Sequence, residues 1–106
     1  MKKILLACAG GFSTSMLVER MQESAKKRGI DVEIDASATT RIAQEIDNLS
    51  IIMLGPQMGH NEDKINKEYG HKVPVTTIDM VDYGMMDGEK VLTRALELIN
   101  SFGGTE

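Results

Sequence analysis

Aromatic side chains are scarce in this sequence. It has no tryptophan, two tyrosines and two phenylalanines among 106 residues. The core must therefore be built from aliphatic side chains and from some of the eight methionines. The length favours one domain over residues 1–106, because a second core would not fit.

Other scarce features exclude whole classes of protein. A single cysteine rules out an internal disulfide framework and is typical of the reducing cytoplasm. No apolar run approaches the ~20 residues that span a bilayer, so we expect no direct membrane insertion. The run Ile4–Ala7 is also too short for a signal peptide. We therefore expect a cytoplasmic protein.

Positive charge is in the minority. The formal net charge is −4, and no clustered basic surface that would hold a phosphate backbone is evident, so we expect no nucleic-acid partner. The one basic cluster, Lys26 to Arg28, lies where a helix should end, and cations there meet the negative end of the helix dipole.

Four short runs have the composition of β-strands. They are Ile4–Ala7, Ile30–Asp35, Ile51–Leu54 and 74–78. The third is the most apolar and predicts the central strand, whereas Pro74 places the fourth at a sheet edge because proline cannot donate to a ladder.

Helical periods follow each strand. They are residues 13–28 closed by Gly29, a helix capped by Thr39 or Thr40, a helix from Asn61 to Gly70, and a last helix capped by Asp87. The alternation predicts an α/β fold, a single domain whose four-stranded parallel sheet is flanked by helices on both faces.

The loop after the first strand has the pattern of an anion site. Cys8 is expected at the carboxyl end of that strand, where parallel sheets bind ligands. It is followed by residues that combine a glycine turn, hydroxyl groups and a helix start: Ala9, Gly10, Gly11, Phe12, Ser13, Thr14 and Ser15. Their backbone N–H groups and hydroxyls predict a phosphate cradle with the sulfur at its lip. Residues 4–18 carry no charged side chain, so dipoles and hydroxyls would hold the anion without a Lys or Arg. The same dipole field would favour a thiolate nucleophile.

Three chemistries could use this loop. A Walker-type nucleotide site needs a lysine that is absent, and a disulfide exchanger needs a second cysteine where Gly11 stands. A Cys-x5-Arg phosphatase needs arginine at position 14, which is Thr14. Without that arginine a phosphocysteine should persist until an acceptor docks, which describes a relay. A phosphatase or arsenate reductase on the same scaffold and a non-enzymatic anion-sensing domain remain the alternatives.

Three ordered motifs resemble those of one family. Residues 8–15, residues 53–57 and the segment from Ile78 through Tyr83 to Gly88 look like the lactose/cellobiose-type IIB component of the bacterial phosphoenolpyruvate-dependent sugar phosphotransferase system. The likeness covers nearly the whole chain and implies a four-stranded parallel sheet with a phosphatase-like cysteine loop after strand 1.

The resemblance also implies a function. Cys8 would accept a phosphoryl group from a histidine of the IIA component and give it to a sugar on the membrane-embedded IIC permease. The sugar would be a β-glucoside or a disaccharide such as cellobiose, chitobiose or lactose. The protein would be cytoplasmic and peripherally associated with the permease, and we expect neither a metal nor a cofactor.

Residues outside the loop receive more modest roles. Asp79 and Tyr83 could overhang the Cys8 loop, but helix capping for Asp79 and packing over the sheet edge for Tyr83 are the favoured interpretations. Gln57 is expected to support a loop. His60 and His71 are rival phosphoryl acceptors, although surface positions fit them better.

Four methionines follow predicted strand ends: Met58, Met80, Met85 and Met86. Some should fill the core. The flexible thioethers of the others would suit a surface that docks two partners in turn.

Overall fold

A computed structural model describes residues 2–8 and 12–102. The strands in these ranges are β1 (Lys2–Cys8), β2 (Val32–Ala38), β3 (Ile51–Leu54) and β4 (Val75–Thr77). They form a parallel sheet in the order β2-β1-β3-β4. The predicted architecture is confirmed, with β3 as an inner strand beside β1 and β4 at an edge.

The α-helices of the described residues alternate with these strands. They are α1 (Phe12–Lys27), α2 (Ile42–Glu45), α3 (Glu62–Tyr69), α4 (Met80–Gly84) and α5 (Gly88–Ser101). Turns of 3-10 helix adjoin α2 on both sides, and a further one, Pro56–Asn61, leads into α3. None of the described helices has the length and apolarity that a membrane crossing requires.

Each face of the sheet carries its own core. Side chains alternate along β1, so Ile4 and Leu6 belong to a cluster with α1 and α5, whereas Leu5 and Ala7 belong to a cluster with α2 and α3. All five residues from Ile4 to Cys8 are buried. A strand buried on both faces reads as a continuous apolar run, which is the pattern of the sequence here.

The second strand begins later than its alternating pattern predicts. Gly29 has a φ of 67°, and the N–H of Ile30 donates to the carbonyl of Ala25 at 2.9 Å while that of Gly29 donates to Lys26 at 3.2 Å. These two bonds are the glycine-ended helix stop that satisfies the last carbonyls of α1. Ile30 therefore takes part in the hydrogen bonds that close α1 and does not pair in the sheet, and β2 starts only at Val32.

The predicted helix caps have mixed outcomes. A cap by Thr39 or Thr40 is wrong, because both residues lie inside a 3-10 turn whose preceding residue, Ala38, makes no side-chain cap bond. Asn61 does precede α3, but it has a helical backbone and makes no side-chain cap bond. The cap of α5 is confirmed, since the Asp87 side chain accepts a hydrogen bond from the Lys90 N–H at 3.1 Å.

Helices α1 and α5 approach each other closely at Gly88. A Cβ atom at this position would lie 2.5 Å from the carbonyl carbon of Arg20 and 2.6 Å from the backbone nitrogen of Met21. Backbone atoms cannot rotate away as a side chain can, so only glycine allows this contact. Through it, α5 fixes the position of α1.

We predict that Gly88→Ala lowers the free energy of unfolding by about 1–3 kcal/mol, because the added methyl group overpacks the contact between α1 and α5. Urea unfolding followed by circular dichroism measures the change. Gly84→Ala is the matched control, since a Cβ at this exposed helical glycine meets nothing within 4 Å and should leave stability unchanged or slightly raised. Equal stability of the two variants would contradict the role given to Gly88.

Candidate functional site

Cys8 is the last residue of β1 and lies at the carboxyl edge of the sheet. Its Cα pairs in register with that of Ala38 at the end of β2. On the other side β3 also ends, and the N–H of Gly55 donates to the carbonyl of Ala7 at 3.1 Å. The predicted position, where parallel strands leave room for a ligand, is confirmed.

The sulfur of Cys8 has a hydroxyl partner in the first turn of α1. The Thr14 hydroxyl donates a hydrogen bond to Cys8 Sγ at 3.0 Å. The same turn contains no acidic residue, so no carboxylate offsets the positive end of the α1 dipole. Thr14 thus occupies the position that an arginine would take in a Cys-x5-Arg site, and it offers a neutral donor there.

The expectation of a sulfur at the lip of the loop is wrong. Cys8 and Thr14 are each only 1% exposed. Cys8 continues a strand that is buried on both faces, and its sulfur meets Thr14 inside the fold. The two polar groups satisfy each other there, as buried polar groups must.

The rest of the predicted cradle is described only in part. Ala9, Gly10 and Gly11 lie outside the described residues. Phe12 and Ser13 begin α1, but their side chains also lie outside the described part of the chain. Ser15 is exposed in the first turn of α1. The phosphate cradle formed by backbone N–H groups therefore stays a prediction.

Tyr83 contacts the site more directly than the sequence indicates. Its hydroxyl lies 3.2 Å from Thr14 Oγ1, and its ring packs against the core cluster beneath α1 and α5. The two residues are 69 positions apart, so no local pattern relates them. The motif from Ile78 to Gly88 is the one sequence signal that points to this region.

The capping role of Asp79 is confirmed. This exposed carboxylate precedes α4 and accepts a hydrogen bond from the N–H of Val81 at 3.4 Å. Gln57 lies in the turn after β3, where its side chain folds back over Gly55; a Cβ on that glycine would be 2.9 Å from Gln57 Oε1. This contact agrees with a loop-supporting role for Gln57.

The methionines and histidines separate by exposure. Met58 is buried and Met86 is half-buried against the core, whereas Met80 and Met85 on either side of Tyr83 are each 73% exposed. His60 and His71 both lie at the surface. Among residues 2–8 and 12–102, no group of three His, Cys, Asp or Glu side chains is placed to hold a metal ion.

The sequence matches a known protein family over most of its length. Residues 3–94 match the family model of the phosphotransferase system lactose/cellobiose-specific IIB subunit. The oligo-β-mannoside-specific EIIB component of Bacillus subtilis is 40% identical over 100 residues, which cover 93% of this chain and 97% of that protein. The galactose-specific EIIB component of Lactococcus lactis is 41% identical over 109 residues, with the same two coverages.

A solved structure agrees with the fold. The cellobiose-specific phosphotransferase IIB component of Borrelia burgdorferi superimposes with a TM-score of 0.82 at 37% sequence identity. The match covers 98% of this chain and 96% of that one. The fold and the sequence therefore point to the same family.

We predict that Asp79→Ala lowers the free energy of unfolding by about 1 kcal/mol, because α4 loses its cap, and that Asp79→Asn costs much less because asparagine caps equally well. Urea midpoints of the two variants measure the difference. Asp31→Ala, at an exposed position before β2, is the control and should change stability by less than ~0.5 kcal/mol. Equal losses for the alanine and asparagine variants of Asp79 would show that charge, and not capping, matters there.

Proposed function

The chain belongs to the lactose/cellobiose-specific IIB family of the phosphotransferase system, and from that membership we propose that Cys8 is its phosphoryl carrier. Cys8 accepts the phosphoryl group from a phosphohistidine of the IIA component. It then passes the group to a sugar held by the IIC permease, with which the protein associates peripherally from the cytoplasm.

The observation that carries this proposal is the hydrogen bond from Thr14 to Cys8 Sγ at 3.0 Å. It joins the chain's one cysteine, at the end of β1, to the first turn of α1. A sulfur in this position is next to the positive dipole end of a 16-residue helix, which favours negative charge. Ala9, Gly10, Gly11, Phe12, Ser13, Thr14 and Ser15 are the proposed phosphate-binding residues.

Two transfers at phosphorus make up the proposed reaction. In the first, Cys8 Sγ attacks phosphorus, the S–P bond forms and the N–P bond to the donor histidine breaks. In the second, a sugar hydroxyl oxygen attacks the same phosphorus, and the S–P bond breaks with its electron pair left on sulfur. Because Cys8 is 1% exposed, the sulfur must be uncovered when a partner docks.

The neutral surroundings favour a relay over a hydrolase. A phosphatase of the Cys-x5-Arg kind stabilises the transferring group with a guanidinium, and Thr14 stands in that position here. Asp79, which directly precedes α4, serves as a helix cap. We therefore propose that the guanidinium that would speed attack by water is replaced here by a neutral hydroxyl.

The exposed surface next to the site suits docking. Met80, Val81 and Met85 are exposed on and just after α4, the helix that carries Tyr83 towards Thr14. Both partners must reach the same sulfur, so we propose that the IIA and IIC components use this surface in turn. Flexible thioethers accommodate differently shaped partners.

We propose that the identity of the sugar is not determined by this chain. Relatives of nearly equal identity carry the names of different sugars, an oligo-β-mannoside and galactose. The family model is named for lactose and cellobiose, and we propose a β-glucoside or a disaccharide such as cellobiose, chitobiose or lactose. We infer that the permease selects among them, because it holds the sugar.

We predict that the protein gains one phosphate after incubation with phosphoenolpyruvate, the general carrier proteins and the IIA partner. Intact-mass analysis detects the gain, and Cys8→Ala should abolish it because no other residue accepts the group. His60→Gln and His71→Gln are the matched controls and should keep it. A phosphate that persists in Cys8→Ala but is lost from a histidine variant would move the acceptor to that histidine.

We also predict no turnover of p-nitrophenyl phosphate by the isolated protein above the rate in buffer, because Thr14 stands where a Cys-x5-Arg phosphatase has its arginine. Asp79→Asn should keep partner-dependent transfer within about threefold, whereas loss of a general acid would cost about 10²–10⁴-fold. Hydrolysis that disappears in Cys8→Ala would instead favour a phosphatase or arsenate reductase.

A further inference from the structure

Three side chains from distant parts of the sequence form a hydrogen-bonded chain that ends at the reactive sulfur. Tyr83 OH lies 3.2 Å from Thr14 Oγ1, and Thr14 Oγ1 donates to Cys8 Sγ at 3.0 Å. A threonine hydroxyl has one proton and two acceptor lone pairs. Since that proton points to the sulfur, the bond between the two hydroxyls must be donated by Tyr83.

The position of Tyr83 is fixed by the structure around it. Its ring packs against the core, and the helix that carries it is capped by Asp79. Asp82 on the same helix lies 3.8 Å from Lys90 Nζ, which joins α4 to α5. The Tyr83 hydroxyl is therefore held in place before any phosphoryl group arrives.

The hydrogen-bond donor that faces the sulfur is neutral. Of the neighbouring carboxylates, Asp79 caps α4 and Asp82 approaches Lys90. The inner strand β3 and the first turn of α1 contribute no acidic residue. Among the described residues, the Thr14 hydroxyl is thus the hydrogen-bond donor whose orientation most directly affects negative charge on the sulfur.

We propose that Tyr83 is a positioning residue. It orients the Thr14 hydroxyl so that this group donates its hydrogen bond to Cys8 Sγ, which stabilises negative charge on that sulfur. This inference rests on the proposed function and deepens it. Its effect is largest in the second transfer. There the sugar oxygen bonds to phosphorus, the S–P bond breaks with its electron pair left on Sγ, and the hydroxyl proton of the sugar passes to water or to a base of the permease.

The first test needs no partner protein. The ultraviolet absorbance of the Cys8 thiolate, which can be followed although the sulfur is buried, is measured across pH in wild type, Tyr83→Phe, Thr14→Val and Thr14→Ser. Each profile is corrected with that of the same protein carrying Cys8→Ala. Loss of a hydrogen bond to a thiolate moves the midpoint of this profile to higher pH, by about one unit for Thr14→Val and by about half a unit for Tyr83→Phe. Thr14→Ser keeps the hydroxyl and should restore the wild-type midpoint.

Tyr69→Phe is the matched control. Tyr69 is the other of the chain's two tyrosines and packs against the core on the opposite face of the sheet. Removal of its hydroxyl should leave the absorbance profile unchanged. Circular dichroism and urea midpoints confirm that each variant folds. If Tyr83→Phe does not fold, Thr14→Val tests the same series of hydrogen bonds at Thr14.

The second test separates the two transfers. We expect the transfer from phosphorylated Cys8 to a sugar on the permease to slow by about 3–10-fold in Tyr83→Phe, because the leaving sulfur loses stabilisation. Phosphorylation of Cys8 by the IIA component should slow less. Single-turnover measurements of each step give the two rates.

An unchanged absorbance midpoint in folded Tyr83→Phe or Thr14→Val would overturn the role of Tyr83. That result leaves the phosphocarrier function itself untouched. Conversely, a wild-type protein that gains no phosphate would remove the proposed function, while the absorbance profiles would still decide whether Tyr83 orients Thr14.

Discussion

The contact between Thr14 and the sulfur of Cys8 is the interaction on which the site depends. A cysteine at the end of a buried strand would ordinarily be a small apolar residue among others. Here the first turn of α1 gives it a hydrogen-bond donor inside the fold. The same turn is the end of the helix at which negative charge is stabilised. Both the packing of the buried sulfur and the stabilisation of negative charge on it therefore require the first turn of α1 to lie next to Cys8.

Backbone contacts elsewhere in the fold hold Cys8 and α1 in these positions. Strand β1 lies between β2 and β3. Cys8 pairs with Ala38 at the end of β2, and on the other side its neighbour Ala7 accepts a hydrogen bond from the N–H of Gly55. Helix α1 is fixed against α5 at Gly88, where two backbones almost touch. Helix α4 then brings Tyr83 to Thr14 from a remote part of the sequence. Three elements thus bring Cys8, Thr14 and Tyr83 together, and none of these three residues is an Asp, Glu, Lys or Arg.

Much of this could be predicted because the deciding signals are local. The apolar runs, the alternation along the second strand and Asp87 before the last helix each depend on neighbouring residues, and each identifies its element. The failures have non-local causes. Thr39 and Thr40 look like caps, yet they lie within a 3-10 turn. The burial of Cys8 and the contact of Tyr83 with Thr14 arise from tertiary packing, which no spacing in the sequence encodes.

The edges of the sheet decide how this protein meets other chains. Strand β4 is three residues long and follows Pro74, while β2 carries Glu33 and Asp35 on its solvent side. Short or charged edges resist the addition of a foreign strand. The proposed phosphoryl carrier would gain from this, because contacts through side chains at the ends of strands come apart more readily than a continuous ladder of main-chain bonds.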